Sequence, residues 1–110
     1  MPTIHLRNKD DSTLPQPESF ANGEWKSGCW YVAEARAKQL IGGEIHLYRE
    51  KNAPSFLSGI IEGFTRKSFT DPKDGTVKIR TVFHFRRVLE IEGTTTDAVG
   101  WLQSGVKFVP

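Results

Sequence analysis

Cysteine, long apolar runs and net charge are all scarce in this chain of 110 residues. Its single cysteine, Cys29, has no partner for the disulfides that staple small exported domains. The first dozen residues, MPTIHLRNKDDS, lack the apolar core of a secretory signal. Both absences point to the cytoplasm. Apolar runs extend only a few residues, far short of the about 20 that a membrane-spanning helix needs, so no membrane partner is expected. His5, His46 and His84 show no Cys-x-x-Cys or His-x-x-x-His spacing with each other or with Cys29. Neither a metal nor another cofactor is therefore expected, and Cys29 reads as an ordinary buried thiol.

What is present is aromatic and locally basic. Seven Phe, three Trp and two Tyr offset a hydrophobic content of only 37%, enough large apolar surface to order a lean core. At this length residues 1–110 read as one domain. The formal charge is only +2, but it is unevenly spread. Residues 66–87 hold Arg66, Lys67, Lys73, Lys78, Arg80, Arg86 and Arg87 against Asp71 and Asp74 alone, a local +5, leaving −3 for the rest.

Periodicity gives the elements. Thr3–Arg7, Glu44–Glu50, Phe56–Lys67, Thr76–Arg87 and Val106–Val109 alternate apolar with polar residues and read as strands. Asn8–Gly28 is dense in turn formers and reads as a long loop pinned by Phe20 and Trp25. Trp30–Ile41 reads as the main helix, its stripe being Ala33, Ala37, Leu40 and Ile41, with Ser27 as the nearest capping residue and Gly42-Gly43 as its stop. Asp71-Pro72-Lys73-Asp74-Gly75 signals a hairpin turn. A bulge is expected at Arg86-Arg87, with Val88–Ile91 continuing extended, and a short helix or loop over Asp97–Gln103. Gly59 and Gly63 imply a bulge, a sharp curl or a close backbone approach, with curvature the leading reading. Ile4-His5-Leu6 is echoed in Ile45-His46-Leu47, with no further repeat. The fold class expected is α+β: a small, strongly curved, mainly antiparallel β-barrel with one main helix plugging an end.

The order of these elements resembles the PUA-like superfamily, particularly its ASCH and EVE branches. The likeness runs over residues 25–90: the loop Trp25–Trp30, the helix Ala33–Gly43, the strand Ile45–Glu50, the segment Ser55–Phe64 of form Ser-x-x-Ser-Gly-Ile-Ile-x-Gly-Phe, and the strand Val77–Arg87. The chain lacks the Gly-x-Lys-x-x-Glu-x-Arg element of ASCH domains, of which Glu34-Ala-Arg36 is at most a remnant. The resemblance implies an RNA- or modified-base-binding module. By position it implies ligand contacts from Trp30, Arg36 and Ser55.

The residues themselves nominate a basic strand. Lys78, Arg80, His84 and Arg86 alternate along Thr76–Arg87, so they project from one face about 6 to 7 Å apart and can track a phosphate backbone. Arg66 and Lys67 across the hairpin would widen the patch. The competing reading is a solvated strand face whose cations discourage edge pairing. Trp25, Trp30 and Tyr31 beside Lys26 offer a stacking platform, although aromatics flanking a helix start are more often core. No serine or carboxylate is spaced to work with His84, and nothing in the spacing of Glu34, Glu62 and Glu90 gathers them, so no catalytic residue is nominated. The function expected is RNA or DNA binding through the basic strand and aromatic loop. The alternatives are a protein-interaction or accessory domain, using a sheet edge or the 8–28 loop, and a small-molecule enzyme.

Overall fold

Alternation of apolar and polar residues dictates most of the architecture. The computed structural model describes residues 2–8, 17–20, 23–50, 52–97, 99–102 and 105–110. Among them run β1 (Thr3–Arg7), β2 (Glu18–Phe20), β3 (Glu24–Lys26), α1 (Glu34–Leu40), β4 (Glu44–Tyr48), β5 (Leu57–Thr70), β6 (Val77–Arg87) and β7 (Val106–Val109). All the strands join one sheet in the order β2-β3-β6-β5-β4-β1-β7. β1 runs parallel to β4 and every other pairing is antiparallel. The protein is thus α+β, with a mixed, mainly antiparallel sheet and a single described helix, which is too short to cross a membrane.

The sheet is open. Its ladder ends at β2 and β7, and these short edges do not pair with each other among the described residues, whereas a barrel needs its first and last strands to meet. On one face Ile4, Leu6, Ile45, Leu47, Ile61, Phe83 and Phe85 meet Ala37 and Leu40 of α1 and form the core. Burying each of these large side chains contributes about 1.5–3 kcal/mol.

The helix is shorter than its pattern suggests. Trp30 exchanges both backbone hydrogen bonds with Thr81, so residues 27–32 extend alongside β6 and α1 begins only after Ala33, which provides no side-chain cap. Ser27 does not cap it. Its hydroxyl instead accepts the Phe83 N–H at 3.0 Å. Ala33 and Ile41 are exposed, so the buried stripe reduces to Ala37 and Leu40. The long loop also contains structure, since β2 and β3 form a hairpin that docks on β6; Lys9–Gln16, Ala21 and Asn22 of that loop lie outside the described residues.

The bulge falls on β5 and not at Arg86-Arg87. Register shifts between Ile61 and Gly63, leaving Glu62 as the extra residue. Gly59 supplies the close approach, because a Cβ there would overlap the Arg86 carbonyl oxygen. Beyond Arg87 the chain leaves the sheet, and Leu89–Ile91 is a 3-10 turn where an extended continuation was expected. The expected helix over Asp97–Gln103 is not seen in its described part, which forms turns and irregular chain; Ala98 and Gln103 lie outside the described residues.

The described residues of 88–102 then cross the second face of the sheet as a strap. Beneath it the two Ile-His-Leu segments lie side by side in exact parallel register, and the row Lys107, His5, His46, Ser58 spans β7, β1, β4 and β5. All four residues are buried.

Candidate nucleic-acid interface

The basic strand is real, but its cations are not equivalent. Lys78, Arg80, His84 and Arg86 share the sheet face opposite the core, with buried Val82 between them. Lys78 is held by Asp71 at 3.2 Å and Asp74 at 3.6 Å, both from the hairpin turn. Arg86 pairs with Glu62 at 3.4 Å and stands opposite Glu24 in register. His84 Nε2 lies 3.2 Å from Thr65 Oγ1, and its pKa is lowered by burial and by the nearby Lys26 ammonium.

Arg66 and Lys67 fall on opposite faces because successive strand residues alternate. Arg66 reaches the core side, where its guanidinium donates to Val32 O and Thr81 Oγ1, each at 2.7 Å. It clamps the segment before α1 to β6. Lys67 emerges on the basic face directly opposite Arg80. Neither Lys67 nor Arg80 makes an ion pair among the described residues. Like charges directly opposite in a ladder repel, so this pair is held together at a cost.

The aromatic partner is Tyr31, not a tryptophan. Trp30 is 4% exposed and donates its indole N–H to Ser27 O at 2.7 Å, which places it in the core. Trp25 packs on that core too. Tyr31 is 66% exposed, and the Arg80 guanidinium lies over its ring, 4.9 Å from the centroid. Tyr31, Arg80 and Lys67 thus form a contiguous aromatic-cation-cation group. Beside it is a cavity of about 110 Å³ lined by Glu18, Lys26, Gly28, Cys29, Thr65, Lys67 and Val82.

Set beside protein-family models, curated proteins and solved structures, the chain matches none. Its function rests on the chemistry of these side chains.

The remaining nominated residues lie elsewhere. Arg36 stacks over Phe108 at 4.0 Å on the helix side of the sheet, across from the basic row. Ser55 is buried under the strap, where its hydroxyl accepts the N–H groups of Gly93 at 3.0 Å and Thr94 at 3.1 Å. Trp30, Arg36 and Ser55 therefore share no concavity with Arg80. Each has a packing or hydrogen-bonding duty that its sequence position alone could not reveal.

A second polar cluster was missed altogether. Ser55 and Ser58 hydroxyls lie 2.9 Å apart, Ser58 Oγ lies 2.8 Å from His46 Nδ1, and His46 Nε2 lies 2.9 Å from Glu44 Oε1. Burial keeps His46 neutral by lowering its pKa, against the pull of Glu44. A neutral ring with Nε2–H donating to Glu44 leaves Nδ1 to accept from Ser58, whose oxygen then accepts from Ser55. His5 stacks on His46 at 5.4 Å with its Nδ1 2.8 Å from the Tyr48 hydroxyl. Burial first, then electrostatic coupling to His46 and the Lys107 charge, lower the His5 pKa to about 4 against the pull of Glu44, and burial raises that of Tyr48 to about 12. Trp101 closes the cluster edge-on to Tyr48. Lys107 donates to Thr96 and to both the carbonyl and carboxylate of Asp97.

Serine, histidine and glutamate in that sequence are the residue types of a nucleophile relay. Ser58 has no accessible surface and its hydroxyl is engaged on both sides. The cluster ties the strap to the sheet. The signal that could have found it is the Ile-His-Leu echo, since two strands repeating a pattern can lie in register.

Proposed function

We propose that this protein binds single-stranded nucleic acid, RNA or DNA, on the sheet face carrying Tyr31, Arg80 and Lys67. The observation that supports this reading is the pairing of two uncompensated cations beside an exposed aromatic ring. Cations contact phosphate, and a ring with a guanidinium over it offers a base a π-face. Lys26, His84 and Arg86 extend the track along β6 and β3. The resemblance of residues 25–90 to PUA-like domains belongs to the same proposal, with the curled sheet as the concave support of the ligand.

Fluorescence anisotropy with labelled single-stranded RNA and DNA oligonucleotides tests it. Affinity should fall steeply between about 50 and 200 mM salt, with log K linear in log salt. Replacing Lys67 and Arg80 together by Ala removes two phosphate contacts and should flatten that slope by about 1.4, at about 0.7 per contact for single strands. A flat salt response in the parent protein, or unchanged affinity in the folded double variant, refutes the reading.

A further inference from the structure

The segment that carries Tyr31 into place does so through an irregular ladder. Between the pairs Lys26–His84 and Trp30–Thr81 the outer chain advances four residues while β6 advances three. The extra residue is absorbed at Ser27-Gly28-Cys29, where Gly28 takes a left-handed φ of +82° that side-chain-bearing residues rarely adopt. The offset has a cost. Ser27 N–H reaches Phe83 O and Trp30 N–H reaches Thr81 O, but the N–H groups of Gly28 and Cys29 make no hydrogen bond among the described residues. Both residues are buried. A shielded N–H without an acceptor is unfavourable, so two neighbouring ones at the same bulge suit an acceptor that enters the cavity they line.

The surroundings define that acceptor. Gly28 and Cys29 line the same cavity as Lys26, Lys67 and Thr65. A concavity of successive backbone N–H groups beside lysines is suited to an oxyanion. We propose that this cavity seats one phosphoryl group, received by the Gly28 and Cys29 N–H groups, Thr65 Oγ1 and the two ammonium groups. Glu18, opposite Lys26 in the β2–β3 ladder, is the carboxylate at the rim and opposes entry of the anion. Tyr31 lies next along the same face, so the proposal deepens the nucleic-acid reading and rests on it for the ligand's identity. The phosphate of one nucleotide sits in the cavity while a neighbouring base stacks on the ring.

Inorganic phosphate is the probe. In the ¹⁵N-labelled protein, the Gly28 and Cys29 amide resonances should shift saturably with added phosphate and not with chloride at equal ionic strength. Phosphate should also displace a bound single-stranded oligonucleotide. Thr65→Val and Lys67→Met should each weaken phosphate binding several-fold, and Glu18→Gln should strengthen it. These three residues are at or near the surface, so the variants leave the core intact. Absence of a saturable shift at these two amides, with oligonucleotide binding intact, overturns the cavity proposal and leaves the cationic face standing. A saturable shift that the three variants alter as stated, without any oligonucleotide binding, upholds the phosphoryl seat and removes nucleic acid as its source. Phosphate shifts unaffected by all three variants overturn the assignment to this cavity.

Discussion

Acidification through the window from 6.5 to about 4 should loosen this protein by way of a buried histidine. His5 sits between His46, Tyr48 and Lys107 with only 6% of its surface exposed. Its pKa is about 4 in the folded chain against an ordinary 6.5. The unfolded chain thus binds a proton more readily at every pH between these values, and stability declines as pH drops through that window. The contribution of neutral His5 is complete above 6.5 and lost towards 4. Lowering the pH from 8 to 5 protonates nearly all unfolded His5 and about a tenth of the folded form, a loss of about 2 kcal/mol. His46, whose pKa is also lowered by burial, adds to the loss in the same direction. At pH 5 Glu92 and Asp97 remain ionised, because hydrogen bonds from Arg87 and Lys107 hold them below the usual carboxylate range. Urea unfolding followed by circular dichroism at the two pH values measures the difference. His5→Gln should be less stable at pH 8 but should show a shallower pH dependence, by close to one proton. Equal stability of the parent at pH 8 and 5, or a His5 ring resonance titrating near 6.5, would refute the reasoning.

Other substitutions separate the roles of neighbouring residues. Tyr31→Ala should weaken oligonucleotide binding by about 1–3 kcal/mol, the range for loss of one base-stacking ring, and leave the urea midpoint nearly unchanged; unaltered affinity would discard the stacking platform. Ser55→Ala strands the Thr94 N–H and leaves the Gly93 N–H only the Ser55 carbonyl; it should cost about 1–3 kcal/mol in urea unfolding, so an unchanged midpoint would show that the strap is held otherwise. Gly59→Ala forces a methyl against the Arg86 carbonyl and the Phe85 ring, with an expected loss of about 1–3 kcal/mol. Gly63→Ala, which meets nothing within 4 Å, should stay within about 0.5 kcal/mol. Equal effects at the two glycines would contradict the close approach of Gly59 to β6.

Where periodicity decided the structure, the sequence was readable. The alternation in Thr76–Arg87 survives as β6 with Phe83 and Phe85 fully buried, and the Asp71–Gly75 turn closes the hairpin as its residue types require. The same alternation separates Arg66 from Lys67, and that follows from the sequence as soon as the β5 register is known. Trp30 and Tyr31 could not be separated this way. Which of two adjacent aromatics is buried depends on the bridge to Thr81, a contact 51 residues away along the chain. Sheet closure was equally hidden, because it depends on whether the outermost strands meet, and no local pattern encodes that. The strap carries no periodicity at all. Its attachment is written in isolated hydrogen bonds from Ser55, Arg87 and Lys107, each of which looks like an ordinary surface polar residue until the partner is seen.

The position of β1 bears on how the chain reaches this state. Both of its neighbours come from far downstream, β4 about 40 residues later and β7 about 100 residues later. Neither contact can form by local zippering, and closing such loops must be met from chain entropy before the pairing gives anything back. The β5–β6 hairpin, by contrast, is local and bounded by a strong turn. Folding should therefore start at the hairpin and finish at β1, giving a slow final phase. During synthesis β1 would wait for β4 and then keep one edge open to aggregation until β7, about 100 residues after it, had emerged.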